Sequence, residues 1–437
     1  MRLRAIQRLL WFSSLALLAC EAPMDQDSGG FSENYELPDE TLASSHGALR
    51  ADTDSTRDSS GYQSQAVINN ISPTSTPDWF HQVRTLIREE RYDEARDLLT
   101  SAQSKTPNDP TIVLILSGVE LLAENYSDAY QIADTFLSEH PQDYPVLKRR
   151  AMASLMGHDI ETAVVDFQAL VVSAERHLTN RTADVCDPLS ACCQSMETEL
   201  AEAKTGLATA RYNLGDLDAA ERLASDVLNT ADDRGVAGAA KFVLALSASK
   251  RGKDDTAFSL YQDVLNDYPE NPAVLNNIGG VYYRMKDLVR ARSFFMKAYE
   301  TAGVDRRGAA IAWSNVGEVD LLEGKFRDAE DKLLEAIAIS PTFAGSYFTL
   351  AALYDVLGRV EEAQIHLKRG LELDEQGVVR WNSSYFSEAW EDQLLAMIAE
   401  QQGNLQDSLV LWQSVLKSDV DVLKASAHRH IARLTGY

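Results

Sequence analysis

The feature that most limits how this chain can fold is a small residue that returns at a nearly fixed interval. Val83, Ser117, Ala151, Ala208, Ala245, Gly279, Gly317, Ala351 and Ala396 are separated by 34, 34, 57, 37, 34, 38, 34 and 45 residues. Twelve positions after each marker stands a second small residue: Ala95, Ala129, Ala163, Ala220, Ala257, Ala291, Ala329, Ala363 and Ser408. Small side chains at both places let two helices approach backbone to backbone, so each pair marks a helical hairpin. In the clearest copy Leu275, Ile278, Gly279 and Tyr282 share one helix face, and Ala291, Phe295 and Ala298 share the next. Four intervals equal 34 outright, which unrelated hairpins would not do.

Turn chemistry follows the same ruler. Seven residues past the marker stand Gly215, Gly252, Gly324, Gly358 and Gly403, where a first helix has to end. Two residues further an apolar side chain begins the second helix in every unit but one, where Asp254 stands instead. Pro107, Pro141, Pro269 and Pro341 fall where second helices must stop. Nine units then occupy residues 76–422, with insertions near 178–200 and 378–388. Residues 423–437 remain as one more helix, with Leu423, Ala427, Ile431 and Leu434 on one face, and cover the last apolar surface.

This spacing resembles the tetratricopeptide repeat, a 34-residue helix–turn–helix unit. The resemblance implies an all-α fold: a right-handed superhelical solenoid of about nine units with a C-terminal capping helix. It also implies a concave groove, lined by the first helix of each unit, that receives peptides or partner segments. Asn276, Asn277, Tyr283, Arg284 and Asn315 lie on first helices and are the candidate groove residues. Asn277 and Asn315 also match common scaffold positions of the repeat.

The N-terminus carries a different message. Arg2, Arg4 and Arg8 precede an apolar stretch from Leu9 to Ala19, the length of a signal-peptide core and too short to span a bilayer. The stretch ends in Leu17-Leu18-Ala19-Cys20, which resembles the bacterial lipoprotein box. The resemblance implies that residues 1–19 are removed and that Cys20 is acylated, with enough chains for stable anchoring. A plain secretory signal that happens to hold a cysteine is the simpler alternative. Loss of the three arginines takes the formal charge from −25 to −28, so acyl chains rather than basic residues would hold the chain at an anionic membrane. Glu21 after the cysteine leans toward the outer membrane over the inner one.

Residues 20–75 sustain no apolar period. Ten carboxylates between Glu21 and Ser75 face only Arg50 and Arg57, so this segment reads as a disordered acidic tether. A flexible chain of that length spans roughly 40 Å, and more when like charges repel.

With 66 acidic against 41 basic residues, the chain is a poor general binder of nucleic acid and favours a basic protein partner. Cys186, Cys192 and Cys193 all fall in the first insertion. In an oxidising compartment Cys186 would pair with Cys192 or Cys193; free thiols and a weak metal site are the other states open to them. In the second insertion Trp381, Tyr385 and Phe386, with Trp390 just after, either pack a joint between units or present a binding surface. No phosphate loop, metalloprotease helix or serine-nucleophile motif is present, and His428 and His430 are too close in sequence to share a helix face. No catalytic residue, metal or cofactor is expected. Lipoproteins that resemble this chain include pilus pilotins and adaptors of outer-membrane and wall-synthesis machines. The expected role is therefore a lipid-anchored scaffold of a Gram-negative envelope, on the periplasmic face of the outer membrane. A surface-displayed recognition lipoprotein, or an enzyme using a reactive thiol of the cysteine insertion, is the alternative.

Overall fold

The computed structural model describes residues 78–436, apart from residues 158, 180–190, 232, 304 and 375–387. The described residues form nineteen helices and no strand. Eighteen of them pair into nine hairpins. The first helices are α1 (Asp78–Arg88), α3 (Pro110–Leu122), α5 (Tyr144–Met156), α7 (Ala191–Asn213), α9 (Arg234–Lys250), α11 (Pro272–Arg284), α13 (Arg306–Leu322), α15 (Ala344–Val356) and α17 (Glu388–Gln401). Their partners are α2 (Tyr92–Gln103), α4 (Tyr126–Glu139), α6 (Ile160–Thr179), α8 (Leu217–Thr230), α10 (Asp254–Asp267), α12 (Leu288–Ala302), α14 (Phe326–Ile339), α16 (Val360–Leu373) and α18 (Leu405–Lys417). The last helix, α19 (Asp421–Thr435), has no partner of its own and packs on α18. Each second helix contacts its own first helix and the first helix of the next hairpin, which stacks the units into a right-handed superhelical solenoid.

All nine markers and all nine small residues twelve positions later are buried. Sixteen positions past each marker stands a buried apolar residue, from Leu99 and Phe167 to Tyr261, Phe295 and Trp412. The small marker makes room for it. At Gly279 an added Cβ would stand 2.6 Å from the Phe295 ring, so the ring sits directly on the α11 backbone. Asp and Asn start several first helices: Asp109, Asp143, Asp233, Asn271 and Asp305 each accept a backbone N–H of the first turn.

Among the described residues, the first helix ends in a left-handed residue in eight of the nine hairpins. The five glycines seven past the marker have φ between 70° and 81°. In three other hairpins the same position is held by Glu90, Glu124 and Lys286, with φ of 59°, 62° and 62°.

The joints between hairpins also follow one register. At four of the eight joints the residue three past a marker meets the residue thirteen past the previous marker. At the first joint this pairs Glu120 with Arg96, and at the sixth Asp320 with Arg292 (2.7 Å). The fifth joint sets Phe258 edge-on to Tyr282, and in the seventh the Tyr354 hydroxyl donates to Glu330 at 3.0 Å. The position accepts ion pairs, aromatic pairs or a hydrogen bond, so its geometry is fixed and its chemistry is not.

Part of the first insertion is taken up by long helices, α6 with 20 residues and α7 with 23. At the second insertion Trp390 is buried in the core shared by hairpins eight and nine, whereas Trp381, Tyr385 and Phe386 lie outside the described residues.

Candidate functional site

The candidate groove residues gather on α11 and α13, and they are tied to one another. Asn315 Nδ2 donates to Asn276 Oδ1 at 2.8 Å, bridging the two helices. One turn along, the Tyr283 hydroxyl donates to Glu318 Oε1 at 2.8 Å. Asn277 Nδ2 donates to its own helix at the Ala273 carbonyl, 2.8 Å. Arg284 reaches back to the previous hairpin, to Asp254 Oδ1 (2.5 Å) and Ser249 Oγ (2.6 Å). Asn276, Tyr283, Asn315 and Glu318 are only 9%, 6%, 9% and 5% exposed.

Glu318 does not stand out in the sequence. It follows the marker Gly317 directly, and a carboxylate on a first helix looks like any solvated one until its neighbours are placed. Burial pushes its carboxyl up to about 7, with the Tyr283 hydroxyl pulling weakly the other way. These side chains therefore form a buried polar network that ties α11 to α13.

A second polar cluster, at the C-terminal end, was also hidden in the sequence. His430 of α19 is buried and stacks on Trp412 with ring centroids 4.1 Å apart, whereas His428 is exposed. Its Nε2 lies 2.8 Å from Asp355 Oδ1 and its Nδ1 lies 2.7 Å from Glu400 Oε1, so both ring nitrogens donate to carboxylates. Asp355 also accepts from Gln393 (2.8 Å) and Ser426, and Glu400 from Trp412 (2.7 Å) and Arg433. The Ser426 hydroxyl is turned to the aspartate and not to the histidine, so these residues lock the cap helix and do not form a nucleophile and base. A signal was present: His430 falls 34 residues after Ala396, on the marker itself.

Cys20 and Cys186 lie outside the described residues. Cys192 and Cys193 fall in the first turn of α7, their side chains outside the description as well. Among the described residues no group of His, Cys, Asp and Glu is placed to hold a metal ion, and no helix is long and apolar enough to cross a membrane.

The architecture defines an all-α helical-repeat scaffold. Models of the tetratricopeptide repeat match residues 86–155, 239–271, 271–342 and 344–376. The chain carries tetratricopeptide repeats, a scaffold for contacts between proteins, and the hairpins outside the matched segments keep the same register. No curated protein matches the sequence. Among solved structures, the fold is similar to the APC/C hetero-tetramer Cut9-Hcn1, at 16% identity over 70% of this chain with a TM-score of 0.44. The chain spans 55% of that structure's chain. It is also similar to PilW, a widely conserved type IV pilus biogenesis factor, at 21% identity over 52% of this chain and 97% of that one, TM-score 0.36. Pseudomonas aeruginosa pilF gives 17% identity over 53% and 98%, TM-score 0.37.

Proposed function

We propose that this chain is a lipid-anchored adaptor of the bacterial cell envelope, held by acyl chains on Cys20 at the periplasmic face of the outer membrane. Its solenoid binds protein partners, in the assembly of a pilus, secretion or outer-membrane machine. One observation carries the proposal: a lipoprotein-type box at Leu17–Cys20 stands at the head of a chain whose body is a repeat scaffold. The acidic segment 20–75 serves as the tether between the two and lets the scaffold search near the membrane. The excess of acidic residues steers basic partner segments toward the inner face, where Asn276, Asn277, Tyr283, Arg284, Asn315 and Glu318 supply the polar contacts. Cys186 forms a disulfide with Cys192 or Cys193 and stiffens the insertion.

Replacing Cys20 with Ser tests the anchor. The protein should move from the membrane fraction to the soluble one; continued sedimentation with membranes would sink the proposal. Cross-linking from the membrane, followed by identification of the attached chain, tests the adaptor role, and recovery of no envelope protein would count against it.

A further inference from the structure

The superhelix returns on itself. In the turn between α3 and α4, the Glu124 carboxylate accepts hydrogen bonds from the hydroxyls of Thr342 (3.0 Å) and Ser340 (3.3 Å), which lie between α14 and α15. The partners are 218 and 216 positions apart. One edge of the second hairpin thus meets the opposite edge of the array after five intervening hairpins. Beside the contact is a cavity of about 410 Å³, lined by Tyr92, Tyr126, Met156, Asp305, Arg306 and Pro341 among others. Arg306 is anchored by donating its Nε to the Ile339 carbonyl at 2.9 Å. Burial pushes the Tyr92 phenol up to about 12, and the nearby Arg306 charge works against that shift across the seam.

Two properties distinguish this contact from the joints between neighbouring hairpins. It is thin: polar groups converge on one carboxylate beside a cavity, where adjacent hairpins share buried apolar cores. It is also built on an unusual backbone. Glu124 holds the left-handed conformation that five hairpins give to glycine and two others to Glu90 and Lys286, and glycine would leave no side chain to reach across.

We propose that this contact is a clasp between successive turns of the superhelix. Closed, it shuts the side entrance to the inner face. Released, it lets the turns part so that a protein segment enters from the side. The proposal rests on the inner face being the partner-binding surface. The burial of Asn276, Tyr283, Asn315 and Glu318 comes from α11 packing on α13, so the clasp governs how a segment approaches these helices and not the exposure of those side chains.

Amide hydrogen exchange of the full chain, read peptide by peptide, tests the clasp on Glu124→Lys, Glu124→Gln and Thr342→Val. A clasp requires reciprocal effects. Thr342→Val should speed exchange in the turn around Glu124, where nothing has been changed, and Glu124→Lys should speed it about tenfold around residues 339–344, the equivalent of losing one hydrogen bond to a charged acceptor. Glu124→Gln, which keeps an acceptor, should have a smaller effect. Small-angle X-ray scattering should show a larger radius of gyration for Glu124→Lys. Effects confined to the altered hairpin, with an unchanged radius, overturn the proposal. These readouts report shape and not binding, so the clasp can fail while the adaptor role stands, and failed cross-linking removes the entry role while the closed contact stands.

Discussion

Replacing His430 with Ala should undock α19 while the hairpins remote from it stay folded. The side chain is 8% exposed and donates to Asp355 and Glu400, which are 1% and 13% exposed at the side chain. Removing one partner of a buried, hydrogen-bonded charge pair costs about 3–5 kcal/mol, and the lost stacking on Trp412 adds about 1 kcal/mol. Gln393, Ser426, Arg429 and Arg433 still face the orphaned carboxylates, so the low end, about 3 kcal/mol, is expected. That loss falls on the C-terminal end, because α19 packs on hairpins eight and nine. Amide exchange in α19 should accelerate about 100-fold, with His428→Ala as an inert control.

The sign of the pH dependence can be worked out group by group. Burial pulls the His430 pKa down, but the hydrogen bonds to Asp355 and Glu400 outweigh it, and the net shift is upward from 6.5. Its contribution is complete below pH 6.5 and is lost as pH rises through the raised value. For Asp355 burial pushes upward and the His430 hydrogen bond, with others, pulls harder the other way, to below 3.8; Glu400 is likewise drawn below 4.5. Their contributions are complete above those ordinary values and are lost as pH falls through the lowered ones. Docking of α19 should be tightest between about pH 4.5 and 6.5 and weaken on both sides. Equal α19 protection in wild type and His430→Ala, or protection that never falls as the pH is raised above 6.5, after correction for intrinsic exchange, would refute this account.

Other perturbations address the scaffold. Ala291→Leu or Ala329→Leu forces a large side chain between helices whose contact is fully buried, and should lower stability by about 1–3 kcal/mol in thermal or urea unfolding. Lys286→Gly should raise the thermal midpoint slightly. It relieves about 1–2 kcal/mol of left-handed backbone cost and gives back about half of that in unfolded-chain entropy. Asp320→Asn removes a charge that is 2% exposed at the side chain and held by Arg292 and Lys332, both at 2.7 Å. Since those cations are each 22% exposed, a loss of about 2–3 kcal/mol is expected in denaturant titration, below the full cost of a broken buried pair.

The hairpin register was legible because it is written locally. Ala291 and Phe295 sit at fixed distances from Gly279, and close packing of two helices admits few residue types at such places. Gly215 and Gly358 were legible for a backbone reason, since few other residues adopt their φ without strain. What the sequence concealed has non-local causes. Asp320 and Glu120 look like solvated carboxylates, and only the stacking of one hairpin on the next brings them to Arg292 and Arg96. The candidate groove positions Asn276 and Asn315 were correctly placed on first helices, but that they hydrogen-bond each other depends on the angle between α11 and α13, which spacing does not encode. His430 looked like half of a poor metal pair. Its contacts beyond α19, Asp355, Glu400 and Trp412, come from three different helices. Glu124 and Thr342 meet only because the superhelix completes a turn.

That last contact bears on how such a chain can change over generations. An open solenoid tolerates the gain or loss of a unit, because the break is healed by the next identical neighbour. Here the third to seventh hairpins form a measured arc between Glu124 and Thr342. Deleting or duplicating any one of them would carry the two ends past each other. The clasp therefore makes repeat number itself a structural constant over that arc. Hairpins eight and nine lie beyond it, and their number is held instead by the cap, because His430 joins Asp355 of the one to Glu400 of the other.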